Sequence, residues 1–281
     1  LTKPPLNNAP GPIGVFDSGY GGLTILKEIV KELPDYDCIY LGDNARAPYG
    51  TRDFETVYTY TLQCVKKLFE MGCHMVVLAC NTASAKALRN IQQKDLPHID
   101  PNRRVLGVIR PTAEIIGHFT KTNKIGILAT SGTVSSNSYP IEIKKQFPEI
   151  DVFQQACPMW VPLIENGEME SEGAEYFFRR DVQHLINQNQ AIDAVILACT
   201  HYPLIKNKLQ NYFPTGISIV SQGEIVAKSL KNYFERHASM KDKCSKGKSI
   251  SFFTTENPEN FNERAGAFFE GKVESKQLIL S

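Results

Sequence analysis

At 281 residues the chain is longer than one ordinary core accommodates, and two domains are expected. Its 42% apolar and 22% charged residues are those of a soluble globular protein, and a net charge of +1 gives no electrostatic reason for a nucleic-acid or membrane partner. Seven scattered cysteines without a Cys-x-x-Cys argue against a disulfide framework, a redox dithiol and a paired-ligand metal site, and reduced thiols point to the cytoplasm.

Residues 1–12, with four prolines and two asparagines, read as a flexible lead-in without the apolar core of an export signal. Short apolar runs then alternate with helix-period segments. Strands are expected at Ile13–Phe16, Cys38–Leu41, Met75–Ala79, Val105–Ile109, Lys124–Ala129, Asp151–Gln155, Ala194–Ala198, Ile217–Val220 and Ile250–Phe253. Between them, Gly22, Leu26, Ile29 and Leu33 share one helical face, and Val57, Thr61, Val65 and Leu68 another, with Gly72 as a C-cap. Ala83, Ala87 and Ile91 mark a third stripe, and Ile205, Leu209 and Phe213 a fourth, which Pro203 opens. The lysine-rich run from Lys241 to Lys248 reads as a solvated loop. No run reaches the ~18 apolar residues of a membrane span. This alternation predicts an α/β fold of parallel sheets covered by helices on both faces, with ligands bound outside the carboxyl ends of the strands.

Two internal echoes sharpen that picture. Val77-Leu78-Ala79-Cys80-Asn81-Thr82 recurs as Ile196-Leu197-Ala198-Cys199-Thr200-His201, and Ile13-Gly14-Val15-Phe16-Asp17-Ser18-Gly19 recurs near Ile125–Gly132. Two similar halves, each placing a cysteine at a strand end, can aim two thiols at one cleft. At a strand-to-helix junction the helix N-terminus can lower a thiol's pKa, which singles out Cys80 and Cys199; the other five cysteines read as buried and inert. Asp17–Gly22 is either a tight turn with Asp17 as cap or an anion cradle held by Ser18 and backbone N–H groups. The loop Gly42–Thr51, which contains Tyr49 and Gly50, fits a plain turn as well as a site. Thr130 and Thr133 fit helix caps, and Glu165 fits either a solvent-facing or a site position. His201 lies two residues from Cys199, close enough to influence its charge.

With Gly14–Gly19, Pro48-Tyr49-Gly50-Thr51, Ala79–Ser84 and Cys199-Thr200-His201-Tyr202-Pro203 in this order, the chain closely resembles the glutamate racemases of the cofactor-independent aspartate/glutamate racemase superfamily. The resemblance implies interconversion of L- and D-glutamate without a cofactor or metal, supplying D-glutamate for peptidoglycan. Cys80 and Cys199 would be the acid/base pair, assisted by Asp17 and His201, with Glu165 a further polar contributor. Asp17-Ser18, Tyr49-Gly50, Asn81-Thr82 and Thr200-His201 would bind substrate, and Thr130 and Thr133 its carboxylate. The resemblance also implies a discontinuous first domain, 13–110 plus 221–281, around a second, 111–220, with the active site between them. A homodimer is the assembly it allows. Aspartate-specific relatives usually carry glutamate after the second Cys-Thr, so His201 favours glutamate. Ala198 replaces a common glycine, and Arg110 stands where relatives often carry an acidic residue. A two-domain binding protein would suit the paired halves but leaves the strand-end thiols unexplained. A cysteine hydrolase leaves one thiol without a task.

Overall fold

The computed structural model describes residues 9–280. Ten strands among them form two wholly parallel sheets. The strands are β1 (Ile13–Asp17), β2 (Cys38–Gly42), β3 (Met75–Leu78), β4 (Arg104–Gly107), β5 (Lys124–Ala129), β6 (Asp151–Ala156), β7 (Ala194–Ala198), β8 (Ser218–Val220), β9 (Ile250–Thr254) and β10 (Ser275–Gln277). One sheet has the order β10-β9-β2-β1-β3-β4 and the other β6-β5-β7-β8. The first sheet therefore draws strands from both ends of the chain. Helices cover the faces, as parallel crossovers require.

Alternation along the strands assigns side chains to layers. Ile13 and Val15 of β1 face one apolar cluster and Phe16 another; in β5, Ile125, Ile127 and Ala129 face one cluster and Leu128 another. The cluster holding Ile13 and Val15 also holds Val195 and Leu197 of β7, so a single core runs between the two sheets. Each of these side chains is buried, and each Ile, Val, Leu and Phe among them contributes about 1.5–3 kcal/mol of transfer free energy. Close approach of the halves is steric as well. A Cβ at Gly21 would stand 2.2 Å from Thr200 Oγ1 and 2.5 Å from His201 Nδ1, so only glycine admits the loop after β7.

Several expectations shift in detail. The strand expected at Val105–Ile109 ends at Gly107, and Ile109 instead opens a helix, Ile109–Ile115. Pro111 is tolerated there because the first turn of a helix has no partner for its N–H groups. The stripe Ala83, Ala87 and Ile91 is buried, but its helix is interrupted at Ala87 and slips into a π-turn at Ile91–Asp95, just before Pro97. β10 is a strand that sequence reading missed. It is three residues long, polar and partly exposed, so only its pairing with β9 defines it. Of the expected flexible lead-in, residues 1–8 lie outside the described residues. Gly11, by contrast, is buried and bridged to Cys244, its N–H donating to Lys243 O at 3.0 Å. Around that buried cysteine, most of the run from Lys241 to Lys248 is exposed. Among the described residues no helix is long and apolar enough to cross a membrane.

Candidate active site

Between the carboxyl ends of the two sheets lies a cleft of about 670 Å³, counting the open space at its mouth. Cys80, from just beyond β3, and Cys199, from just beyond β7, both line it. Ser18, Tyr49, Gly50, Asn81, Thr82, Thr130, Glu165, Thr200 and His201 line it too. Asp17 and Thr133 do not; both are fully buried behind it.

The two thiols have unlike surroundings. Cys80 caps the helix Asn81–Lys86, its sulfur accepting the Ala83 N–H at 3.4 Å, with Ser18 Oγ at 3.5 Å. The expected acidification by a helix N-terminus does not prevail here. Burial pushes the Cys80 thiol up to about 12, the nearby charge of Asp17 adds to this, and the contacts with Ser18 and Ala83 oppose it only in part. Cys80 is therefore a neutral thiol at pH 7. Cys199 has no helix start beside it: turn residues lead to a short 3₁₀ helix, Tyr202–Ile205. Its partner is His201 instead, with Nδ1 3.8 Å from the sulfur.

His201 Nε2 in turn lies 2.8 Å from Glu165 Oε1. Burial alone would lower the His201 pKa, but the bonds to Cys199 and Glu165 outweigh it and raise it to about 10. An imidazolium gripped by a carboxylate on one side places positive charge beside the Cys199 sulfur on the other. Cys199, His201 and Glu165 thus form one continuous chain of side chains, with the imidazole in the middle. Glu165 arrives on the helix Trp160–Glu165, which is anchored by the fully buried Trp160 packed on Tyr202, ring centroids 4.8 Å apart.

Asp17 accepts the Gly19 N–H at 2.9 Å and the Thr200 hydroxyl at 3.3 Å, so this carboxyl joins the loops after β1 and β7. Burial raises its pKa against the opposing pull of His201. Asp17, expected to assist Cys80, lies near enough for its charge to act on that thiol, and its cross-sheet hydrogen bond runs to Thr200. Thr82, Thr130 and Thr133 form a hydroxyl chain across the cleft floor, at 2.9 and 3.1 Å.

A family model described as Asp/Glu/hydantoin racemase matches residues 13–230. The chain is 39% identical to a glutamate racemase of Roseobacter denitrificans, over 93% of this chain and 98% of that one. Its fold is similar to a glutamate racemase isoform of Bacillus anthracis, with a TM-score of 0.87, 30% identity and coverage of 96% and 98%. It is also similar to the glutamate racemase of Francisella tularensis solved in complex with D-glutamate, with a TM-score of 0.85, 30% identity and coverage of 96% and 98%. The chain belongs to the Asp/Glu/hydantoin racemase family, among the glutamate racemases.

For a glutamate racemase of this sequence, three features escaped sequence reading. Tyr49 lines the cleft, yet its hydroxyl is bonded to the buried Asp43, which also grips Arg46, so Tyr49 cannot offer that hydroxyl as a donor to a ligand. The Asn81 amide is held by Gln222 Oε1 at 2.7 Å and by the Tyr139 hydroxyl at 2.6 Å, while Gln222 Nε2 also donates to Tyr139 and Thr112. This buried knot joins the strand end of Cys80 to the start of the helix Gly223–Arg236. Cys157, expected to be inert core, also lines the cleft, where burial holds its thiol neutral. None of Asp43, Tyr139 or Gln222 sits in a repeated motif, so only a contact map could find them.

Proposed function

We propose that this cleft interconverts L- and D-glutamate by moving a proton between the two faces of the α-carbon. The observation that carries this reading is the pair of thiols, one from each sheet, lining one cleft, Cys80 beside a helix start and Cys199 beside a histidine. For one enantiomer, the Cys199 thiolate takes the α-proton, the C–H electron pair remaining on the substrate as a carbanion. Cys80 then returns its own proton to the opposite face and is left as the thiolate. The reverse reaction exchanges these duties, and thiols suit both because their ordinary pKa lies near neutrality.

Charge developing on the substrate's α-carboxylate needs donors that are already in place. Ser18, Thr82 and the N–H groups that open the helix after Cys80 supply them. In this reading Thr130, backed by Thr133, orients a substrate carboxylate. The cleft closes between a discontinuous domain, 13–110 plus 221–281, and a second, 111–220. A cytoplasmic enzyme, as a monomer or a homodimer, supplying D-glutamate for peptidoglycan is the setting this chemistry fits.

The test is racemisation of L-glutamate in deuterated water by dialysed protein, followed by circular dichroism and mass spectrometry, with L-aspartate in parallel. Inversion with one deuterium gained at the α-carbon is expected for glutamate. Inversion without deuterium, or activity only after pyridoxal phosphate is added, would refute the two-thiol reading.

A further inference from the structure

We propose that Asn44 is a positioning residue, orienting the Glu165 carboxylate and through it the His201 ring from the opposite sheet. This rests on the racemase reading above. Asn44 stands in the 3₁₀ turn Asn44–Arg46 that follows β2 of the first sheet, whereas Glu165 ends a helix packed against the second. Gly19 lies between them with no side chain. The point its Cβ would occupy is 3.3 Å from Glu165 Oε1 and 3.8 Å from Asn44 Nδ2.

Nδ2 of Asn44 is shielded from solvent and has no hydrogen-bond partner, a costly state for a buried donor. The other end of the amide is fixed, since Asn44 Oδ1 accepts from the Thr254 hydroxyl at 3.2 Å. Neighbouring donors are engaged elsewhere: the Tyr20 hydroxyl donates to Glu256 Oε1 at 2.6 Å and the Tyr40 hydroxyl to Gly19 O at 2.8 Å. Asn44 therefore has the one unpartnered donor among these neighbours of Glu165, and the nearby carboxylate is the acceptor it lacks. Asn44 does not line the cleft, so it acts on Glu165 rather than on a ligand. A small approach of the turn to the helix across Gly19 makes this bond and joins the first sheet to the relay behind Cys199.

The titratable groups facing the relay are Cys199 and Asp17 beside His201, and Tyr20 and Tyr40 beside Glu165, with Glu256 and Arg264 behind Tyr20. Asn44→Leu removes the donor and leaves these groups in place. We expect kcat/KM for glutamate to fall about tenfold, through kcat, with KM changed less than about twofold. In histidine-labelled protein saturated with glutamate, the His201 imidazole should titrate at lower pH in the variant than in the unaltered protein, which a merely structural role would not produce. Should Asn44→Leu fail to fold, Asn44→Asp keeps the shape but replaces the donor with an acceptor, and the same fall in kcat/KM is expected. An unchanged His201 titration in a folded variant, or a loss confined to KM, would overturn the inference. Absence of glutamate racemisation in the unaltered protein would instead overturn the reading beneath it, while the His201 titration still tests Asn44.

Discussion

Cys80 and Cys199 hold matching places in the two halves, each just beyond a buried parallel strand with small and hydroxyl residues around it. Their neighbours nevertheless set them apart. Cys80 has a helix start, a serine hydroxyl and the unfavourable charge of Asp17, and burial dominates. Cys199 has a histidine that is itself held by a carboxylate. A weak 3.4 Å contact from one N–H to sulfur does not offset the desolvation of Cys80. A repeated strand-end motif thus fixes where a thiol stands but not which groups surround it. In the proposed reaction Cys199 starts as the base and Cys80 as the acid.

Removing either thiol should have the largest effect. Cys80→Ala and Cys199→Ala are each expected to lower racemisation by 10³-fold or more, on the order of general acid–base catalysis lost on one face. In deuterated water each variant should exchange the α-hydrogen of only one enantiomer, and the two variants should favour opposite enantiomers. Exchange of the same enantiomer by both would break the comparison.

His201→Asn should cost about 10²-fold in kcat, because Cys199 loses its counter-charge. The pH dependence sharpens this. The His201 pKa is raised in the folded state, so its contribution to stability is complete below about 6.5, the free-imidazole value, and is lost as pH rises through about 10. Thermal unfolding should show the unaltered protein losing more of its advantage over His201→Asn across that window than below it.

A smaller effect is expected from Thr130→Val, which cuts the hydroxyl chain to Thr82 and Thr133: KM should rise about tenfold with kcat little changed. On stability rather than catalysis, Gln222→Leu should cost about 1–3 kcal/mol through the buried partners it abandons, Asn81 and Tyr139. That loss reads out as a lower Tm, and its coupling to the Cys80 side should appear as non-additivity with Ser18→Ala.

Much of the molecule was legible in its sequence because the relevant signals are local. Lys124–Ala129 and Ala194–Ala198 are strands at the expected bounds, since a buried parallel strand must be a short apolar run. Strand-end residues such as Cys80, Cys199, Ser18 and His201 fell into the cleft for a related reason: parallel sheets deliver their strand ends to one side. β10 was not legible, because an edge strand of three polar residues carries no apolar period. Nor was the knot around Gln222, whose partners stand 83 to 141 positions away along the chain.

The chain's periodicity and its duplicated Leu-Ala-Cys phrase determined an α/β fold of two halves and which side chains end their strands, because both follow from residue types within a few positions of each other. Tertiary structure alone decided the rest. It placed Glu165 behind His201, turned Asp17 toward Thr200 and left Cys80 protonated, because hydrogen bonding, desolvation and charge depend on distances between segments that the sequence does not bring together.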